Sequence, residues 1–209
     1  MTDTPVTGPV STAAPVGARR VLIIEDDTLV GIGLKAHLEK LGHSVVGQAA
    51  DAAQAHAMFA DERPDLVLVD IRLDHDDGLD LAGQLLALRR CPMIVVSAYS
   101  DDSLLQRAAD VGVYGYLVKP VTREALAAQI HVAIKRFDET ERLRGEKDSL
   151  LQTLETRKLV ERAKGILMKH LNLEEPAAHK RLQAESQKRR ISMAEIARKV
   201  IESENLFTE

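Results

Sequence analysis

The sequence has little of what disulfide-stabilised, zinc-binding or base-stacking proteins need. Cys91 is its only cysteine, so neither an intrachain disulfide nor a cysteine-based zinc site can form. Tryptophan is absent and only 3% of the residues are aromatic, which excludes a sheet surface that stacks several bases on rings. No apolar run approaches the roughly 18 residues of a membrane span. What remains is an ordinary globular composition, with 45% hydrophobic and 29% charged residues.

Charge is distributed unevenly along the 209 residues, although the formal net charge is only −4. Residues 1–154 hold 16 Lys and Arg against 23 Asp and Glu, whereas residues 155–209 hold 12 against 9. An acidic body therefore carries a weakly basic end. The chain starts without the charged head and apolar stretch of a signal peptide, so we expect a cytoplasmic protein with no membrane partner.

The sequence pattern of the first two thirds of the chain is typical of an α/β protein. Residues 1–18 are rich in proline and poor in charge, which predicts a disordered tail. From residue 19 to residue 138, short apolar strands alternate with segments of helical periodicity. The strands are predicted at 21–24, 44–49, 66–69, 93–96 and 114–118. Strict alternation predicts a five-stranded parallel, doubly wound sheet with helices on both faces.

The segment after this domain, residues 139–154, is predicted to be a helical linker. Leu143, Leu150 and Leu154 are spaced by seven and four residues, as in a coiled coil. The segment is therefore either a solvated connecting helix or a short coiled coil that dimerises.

Residues 155–209 hold three amphipathic helices by their apolar periodicity. The third has a clear start signal, because Ser192 and Glu195 have the spacing of a capping box. None of the three helices is long enough to bury a core alone. We predict that they close a small core together, as a three-helix bundle or within a helical dimer.

Polar residues occur where the predicted strands end, at the edge of a parallel sheet where ligands bind. They are Glu25 and Asp26 after strand one, Asp70 after strand three, Ser97 after strand four and Lys119 after strand five. Carboxylates brought together there would repel one another, so the arrangement requires a cation, and oxygen ligands favour Mg²⁺. A divalent ion beside a carboxylate, a hydroxyl and a lysine indicates phosphoryl transfer onto the carboxylate.

A dinucleotide-binding motif is imitated by the segment from Gly31 to Ala36, which matches GxGxxA and is followed by Asp51 about twenty residues later. Its glycines fall inside the first predicted helix rather than at the turn that precedes it. The acidic residues before them would repel a pyrophosphate, and the last of these, Asp27, is expected to cap the helix. We therefore reject nicotinamide binding.

The segments VLIIEDD, PDLVLVDIRLDHDDGLDL, IVVSAYS and GYLVKP resemble the receiver domain of two-component response regulators, over residues 20 to about 138. The separations of 44, 27 and 22 residues that lead from Asp26 to Asp70, Ser97 and Lys119 are similar to those of that family. The resemblance implies a flavodoxin-like fold. It also implies that Asp70 accepts a phosphoryl group from a histidine kinase or a phosphotransfer protein.

The same resemblance implies roles for the residues around Asp70. Its metal ligands would be Glu25, Asp26, Asp70 and the main-chain carbonyl of Arg72. Ser97 and Lys119 would contact the phosphoryl group, and Tyr116 would be the aromatic that rotates on phosphorylation. The family often has Met-Pro soon after the phosphoacceptor, whereas this chain continues with Leu73 and a series of acidic residues up to Asp77. That departure leaves the geometry of the loop open.

The segment LETRKLVERAKGILMKHLNLEEPAAHKRLQAESQKRRISMAEIARKVIES resembles the ANTAR domain, a three-helix RNA-binding module of transcription antiterminators. The run from Ala163 to Met168, Ala178 and the helix at 192–201 carry the likeness. The chain departs from the family's pattern at His179, where an aromatic residue is usual, and at Gln187, where an apolar one is. These departures concern packing more than binding.

The resemblance makes RNA hairpins the expected partner, and the helices offer cations for phosphate contacts. The candidates are Arg162, Lys164, Lys169, Arg181, Lys188, Arg189 and Arg190. Gly165 lies inside a helix, where glycine is unfavourable, and we expect it to permit the close approach of another helix or of RNA. Of these two, we favour another helix.

Together these features predict a response regulator that is not an enzyme beyond its own phosphoryl transfer and dephosphorylation. Phosphorylation of Asp70 would favour a homodimer that binds paired RNA hairpins and prevents terminator formation. Two alternatives stay open for the helical end. It binds duplex DNA as a helix-turn-helix variant, or it is a protein-interaction bundle that sequesters another regulator.

Overall fold

The computed structural model describes residues 17–98 and 102–205, and most of the predicted tail lies outside them. The chain divides into two compact units, one up to Glu139 and one from Thr140. Among the described helices, none combines the length and apolar character needed to cross a membrane.

The first unit is built on a five-stranded sheet. Its strands are β1 Arg20–Ile24, β2 Ser44–Ala49, β3 Leu66–Asp70, β4 Met93–Ser97 and β5 Gly115–Val118. All pairs are parallel, and the spatial order is β2-β1-β3-β4-β5. This order is that of flavodoxin-like doubly wound sheets, so the predicted fold class is confirmed.

Helices cover both faces of the sheet, because each connection between parallel strands crosses over one face. They are α1 Thr28–Lys40, α2 Ala52–Glu62, α3 Gly78–Leu88, α4 Asp102–Val111 and the start of α5 Arg123–Leu171. Side chains alternate along β1, so Val21 and Ile23 pack with α1 and α5, while Leu22 and Ile24 pack with α2 and α3. The three central strands are buried on both faces, which explains their continuous apolar runs.

The second unit is helical, as predicted, but its first helix does not begin near residue 155. A single helix, α5, runs from Arg123 to Leu171. The linker and the first helix of the bundle are therefore continuous with the last helix of the sheet domain. The reason is local: the sequence has no proline in this range, and both of its glycines, Gly145 and Gly165, keep a helical conformation.

The other helices of the second unit are α6 Glu175–Arg189 and α7 Met193–Asn205. A small apolar core joins them to the end of α5, with Val160 and Ala163 from α5, Leu182 from α6, and Ile196 and Ile201 from α7 among its members. Three helices therefore close one core, which no single one could do.

The predicted capping box is present at the start of α7. The Ser192 hydroxyl accepts a hydrogen bond from the Glu195 backbone N–H at 3.2 Å, and the Glu195 carboxylate accepts one from the Ser192 N–H at 2.9 Å. The helix therefore starts with two of its backbone donors satisfied.

Candidate functional site

Four neighbouring strands deliver the predicted site residues to one edge of the sheet. Ile24 of β1 pairs with Val69 of β3, so the residues that follow both strands emerge side by side. Asp70 at the end of β3 is in register with β4, whose last residue is Ser97. The parallel register therefore brings together residues that lie up to 94 positions apart in the sequence.

Lys119 joins two carboxylates at this edge. Its Nζ lies 2.5 Å from Asp70 Oδ2 and donates a second hydrogen bond to Glu25 Oε1 at 2.9 Å. The Glu25 side chain is 2% exposed, the Asp70 side chain 9% and the Lys119 side chain 19%. The three charges are thus held in contact at a largely dehydrated site.

The electrostatics of the site follow from its burial. Loss of hydration raises the pKa of Glu25 to about 7; the hydrogen bond from Lys119 opposes this shift and the charge of Asp70 adds to it. Burial acts to lower the pKa of Lys119, but its hydrogen bonds to Asp70 and Glu25 outweigh burial and raise that pKa above its usual value. The lysine therefore stays charged, and its single positive charge is shared by two carboxylates.

Asp26 completes a cluster that fits a divalent cation. Carboxylate oxygens of Glu25, Asp26 and Asp70 all lie within 4.8 Å of one another. Oε2 of Glu25 is buried and lies 2.8 Å from Lys119 Nζ, and it accepts no well-aligned hydrogen bond among the described residues. Three carboxylates against one lysine leave an excess of negative charge, and an all-oxygen ligand set is what Mg²⁺ prefers. The residues present therefore fit this ion.

The other predicted residues are Arg72, Ser97 and Tyr116. The Arg72 N–H donates to Asp70 Oδ1 at 3.1 Å, which places the Arg72 peptide beside the carboxylate. Ser97 is buried at the end of β4, and Tyr116 is half-buried in β5, where it packs against the sheet core.

Gly78 is a position that the sequence analysis did not single out. Its N–H donates to the carbonyl of Ile71 at 2.8 Å, and a Cβ built on it would overlap the carbonyl oxygen of Asp70. Only glycine allows α3 to begin this close to the phosphoacceptor strand. Its place eight residues after Asp70, at the start of a helix, is the signal that could have identified it.

The acidic loop that follows β3 is tied down by its own carboxylates. Asp77 Oδ1 accepts the N–H groups of Leu79 and Asp80 and so caps α3, while its other oxygen accepts from Arg107 at 3.0 Å. Asp76 Oδ2 accepts the N–H of Ala52 at 3.0 Å. At least two acidic residues of this loop therefore have structural partners.

In the second unit, one of the cations predicted to contact RNA is buried and the others are exposed. Lys164 is 6% exposed, and its Nζ contacts Glu175 at 2.6 Å and Glu161 at 2.9 Å. These carboxylates raise the pKa of Lys164, and the largest cause is the hydrogen bond that Lys164 donates to Glu175. The prediction that Lys164 contacts RNA does not agree with this burial, because its charge is used within the bundle.

The other predicted cations are exposed: Arg162, Lys169, Arg181, Lys188, Arg189 and Arg190. Of these, Arg189 is ion-paired with Glu185 at 2.8 Å. Gly165 is also exposed, and no described atom outside its own stretch of α5 lies within 4 Å of the position that its Cβ would occupy. The expected approach of another helix to Gly165 is therefore wrong for the described chain.

Comparison with known proteins agrees with this architecture. Residues 21–131 match the response regulator receiver domain, and residues 148–201 match the ANTAR domain. The transcriptional regulatory protein PdtaR of Mycobacterium tuberculosis is 39% identical over 198 residues, which are 95% of this chain and 97% of that protein.

Solved structures similar to this chain include receiver domains. The receiver domain of a modulated diguanylate cyclase from Desulfovibrio desulfuricans G20 has a TM-score of 0.55 and 36% identity, and the match covers 59% of this chain and 98% of that one. The BeF3-activated N-terminal receiver domain of RstA from Klebsiella pneumoniae has a TM-score of 0.51 and 28% identity, with coverage of 55% and 97%.

Proposed function

Because the chain belongs to the response regulators that combine a receiver domain with an ANTAR domain, we propose that phosphorylation of Asp70 controls its binding to RNA hairpins and thereby transcription antitermination. The phosphoryl donor is a histidine kinase or a phosphotransfer protein. Such a regulator acts in the cytoplasm and is not an enzyme beyond the chemistry of its own aspartyl phosphate.

The contact between Lys119 and Asp70 is the observation that carries the phosphorylation step. An Asp70 carboxylate oxygen attacks the phosphorus of phosphohistidine, the P–N bond breaks, and its electron pair returns to the imidazole nitrogen. The product is an acyl phosphate on Asp70. Lys119 Nζ, 2.5 Å from that carboxylate, orients it and offers a cation to the oxygens of the incoming group.

We assign the response to phosphorylation to Ser97 and Tyr116. The hydroxyl of Ser97, at the end of the neighbouring strand β4, donates to a phosphoryl oxygen. Tyr116 lies on β5, three residues before Lys119, and its half-buried ring rotates when Ser97 engages the phosphoryl group. With these roles, the change caused by phosphorylation is transmitted from the site through β4 and β5.

Glu25, Asp26, Asp70 and the Arg72 carbonyl would hold Mg²⁺ at this site. When bound, the ion neutralises negative charge on the transferring phosphoryl group. The excess of carboxylates over cations among the described residues supports this assignment.

The output of the protein is RNA binding by the second unit, and dimerisation is part of the switch. Leu143, Leu150 and Leu154 are between 51% and 66% exposed on α5, at the spacing of a coiled-coil seam. Burial of these leucines against a second copy would remove apolar surface from water, which supports a phosphorylation-dependent homodimer.

The phosphorylation step is tested with acetyl phosphate and Mg²⁺ on the full chain. Wild type should acquire an acid-stable, hydroxylamine-sensitive phosphoryl group, and Asp70→Asn should acquire none. Asp74→Asn is the matched control, because Asp74 is an exposed carboxylate four residues along the same loop. Continued labelling of Asp70→Asn would contradict the assignment.

The output is tested by comparing hairpin RNA with duplex DNA in gel shifts at one salt concentration. Preferential retention of the hairpin supports the proposal. Preferential retention of the duplex would favour a DNA-binding regulator, and no retention of either, together with a stoichiometric protein partner, would favour sequestration.

A further inference from the structure

We infer that Gly165 and the cations beside it on α5 form the surface that holds the RNA backbone, an inference that rests on the RNA-binding function proposed above. Glycine favours helices less than every residue except proline, yet Gly165 lies well inside α5. Its backbone is helical, so no unusual dihedral angle requires glycine. The open space around its Cβ position shows that no described neighbour requires it either.

The side chains on the same face of α5 are cations. Lys158, Arg162 and Lys169 lie seven and three residues before Gly165 and four residues after it, which is the spacing of one helix face. All three are exposed, and none has an ion pair within the described part of the chain. The row extends over roughly 16 Å of helix with Gly165 in its interior.

This face has a surplus of positive charge, which α6, with four cations and two carboxylates, shares and α7 lacks. Residues 158–169 hold four cations and one carboxylate, Glu161, which is ion-paired with the buried Lys164. By contrast, α7 holds two cations against three carboxylates. A polyanion is therefore the occupant that fits the charge of this part of α5.

Gly165 and its neighbours would act together on one strand of RNA. The missing side chain lets the sugar-phosphate backbone lie against the helix between Arg162 and Lys169, each of which contacts a phosphate. Such contacts position the RNA without reading its sequence. Base recognition would come from other parts of the unit.

The test uses the full chain and a hairpin RNA selected against wild type from a randomised library. Gly165→Gln should bind this RNA at least about fivefold more weakly, while its thermal unfolding midpoint stays the same or rises because a better helix former replaces glycine. Gly145→Gln is the matched control. Gly145 is equally open within α5, but Glu141, Arg142 and Asp148 surround it on its face.

The charge variant is Arg162→Glu/Lys169→Glu, which should bind at least about tenfold more weakly and lose about two units of the log–log salt slope between about 50 and 200 mM salt. Arg198→Glu, an exposed cation on α7, should stay within about twofold of wild type.

Wild-type affinity in either α5 variant would overturn the inference and leave the proposed function intact. So would equal weakening by the Gly145 control, or a changed oligomeric state of Gly165→Gln with unchanged RNA affinity, which would assign the face to a second copy. If wild type selects no RNA, the proposed function itself fails, and the inference with it.

Discussion

Lys119 in the first unit and Lys164 in the second each contact two carboxylates, but the carboxylates differ in their access to water. The partners of Lys119 have side chains that are 2% and 9% exposed, whereas those of Lys164 are 55% and 64% exposed. Exposed carboxylates are rehydrated when their lysine leaves, while buried ones are not. A lysine between two carboxylates therefore indicates a reactive site only where the negative charge is itself buried and in excess.

The largest expected difference between the two lysines is in phosphorylation. Lys119→Met should slow labelling by acetyl phosphate and saturating Mg²⁺ by roughly 100-fold, because one preorganised charge contact to the transferring group is lost. Lys164→Met should be labelled at the wild-type rate. The measurement is the initial rate of phosphoprotein formation, with circular dichroism to verify folding.

A labelling rate for Lys119→Met within about twofold of wild type would contradict this difference, because both lysines would then be structural.

The Lys164→Met variant also tests the contribution of Lys164 to stability. Since Glu161 and Glu175 return to water, we expect its free energy of unfolding to change by no more than about 1 kcal/mol.

The second prediction concerns the first unit and the pH dependence of its free energy of unfolding. Burial raises the pKa of Glu25 to about 7, from 4.5 in the unfolded chain, so the folded protein binds the extra proton between these values. The stability that this group contributes is present below its unfolded pKa and is lost as the pH rises through its folded pKa. Without Mg²⁺, the free energy of unfolding of wild type should fall, relative to that of Glu25→Gln, by on the order of 1–3 kcal/mol from about pH 5 to about pH 7.5.

Glu25→Gln is the control for this pH profile, since it removes the titrating group and should remove the decrease. The raised pKa of Lys119 keeps that lysine charged across the same range, so it contributes no slope. Mg²⁺ at about pH 7.5 should restore stability to wild type by binding only the folded state. Parallel profiles for wild type and Glu25→Gln in denaturant titrations would contradict the assignment.

The comparison of the two lysines also shows what sequence can and cannot predict. The strand ends near Glu25, Asp70 and Lys119 could be found from sequence, because parallel strands align their carboxyl ends and short apolar runs mark the strands. Lys164 was predicted as an RNA contact, because a lysine on a helix is usually exposed. Its burial depends on where α6 begins, with Glu175 in its first turn, and periodicity within α5 contains no information about that packing.

Two other features of the structure were not predicted, because they also depend on the fold. The continuity of α5 was missed because domain boundaries were placed where composition changes, although no proline or cap interrupts the helix there. Gly78 was missed because its role depends on a close approach to the Asp70 carbonyl, which is a contact between backbones. Side-chain chemistry at strand ends is therefore readable from sequence, whereas backbone proximity and the pairing of surface charges require the fold.

The smallest expected effect separates two adjacent carboxylates of the first unit. Asp26 belongs to the three-carboxylate cluster, whereas Asp27 Oδ1 accepts the N–H groups of Leu29 and Val30 and so caps α1. Asp27→Ala should cost about 1 kcal/mol of unfolding free energy, and Asp27→Asn, which keeps a capping oxygen, should cost almost nothing. Both variants should keep the increase in thermal midpoint that Mg²⁺ gives to wild type, and Asp26→Asn should lose it. If Asp27→Asn lost the Mg²⁺ response as well, the cation site would extend beyond the three-carboxylate cluster, and a capping role would no longer distinguish Asp27 from the ligands.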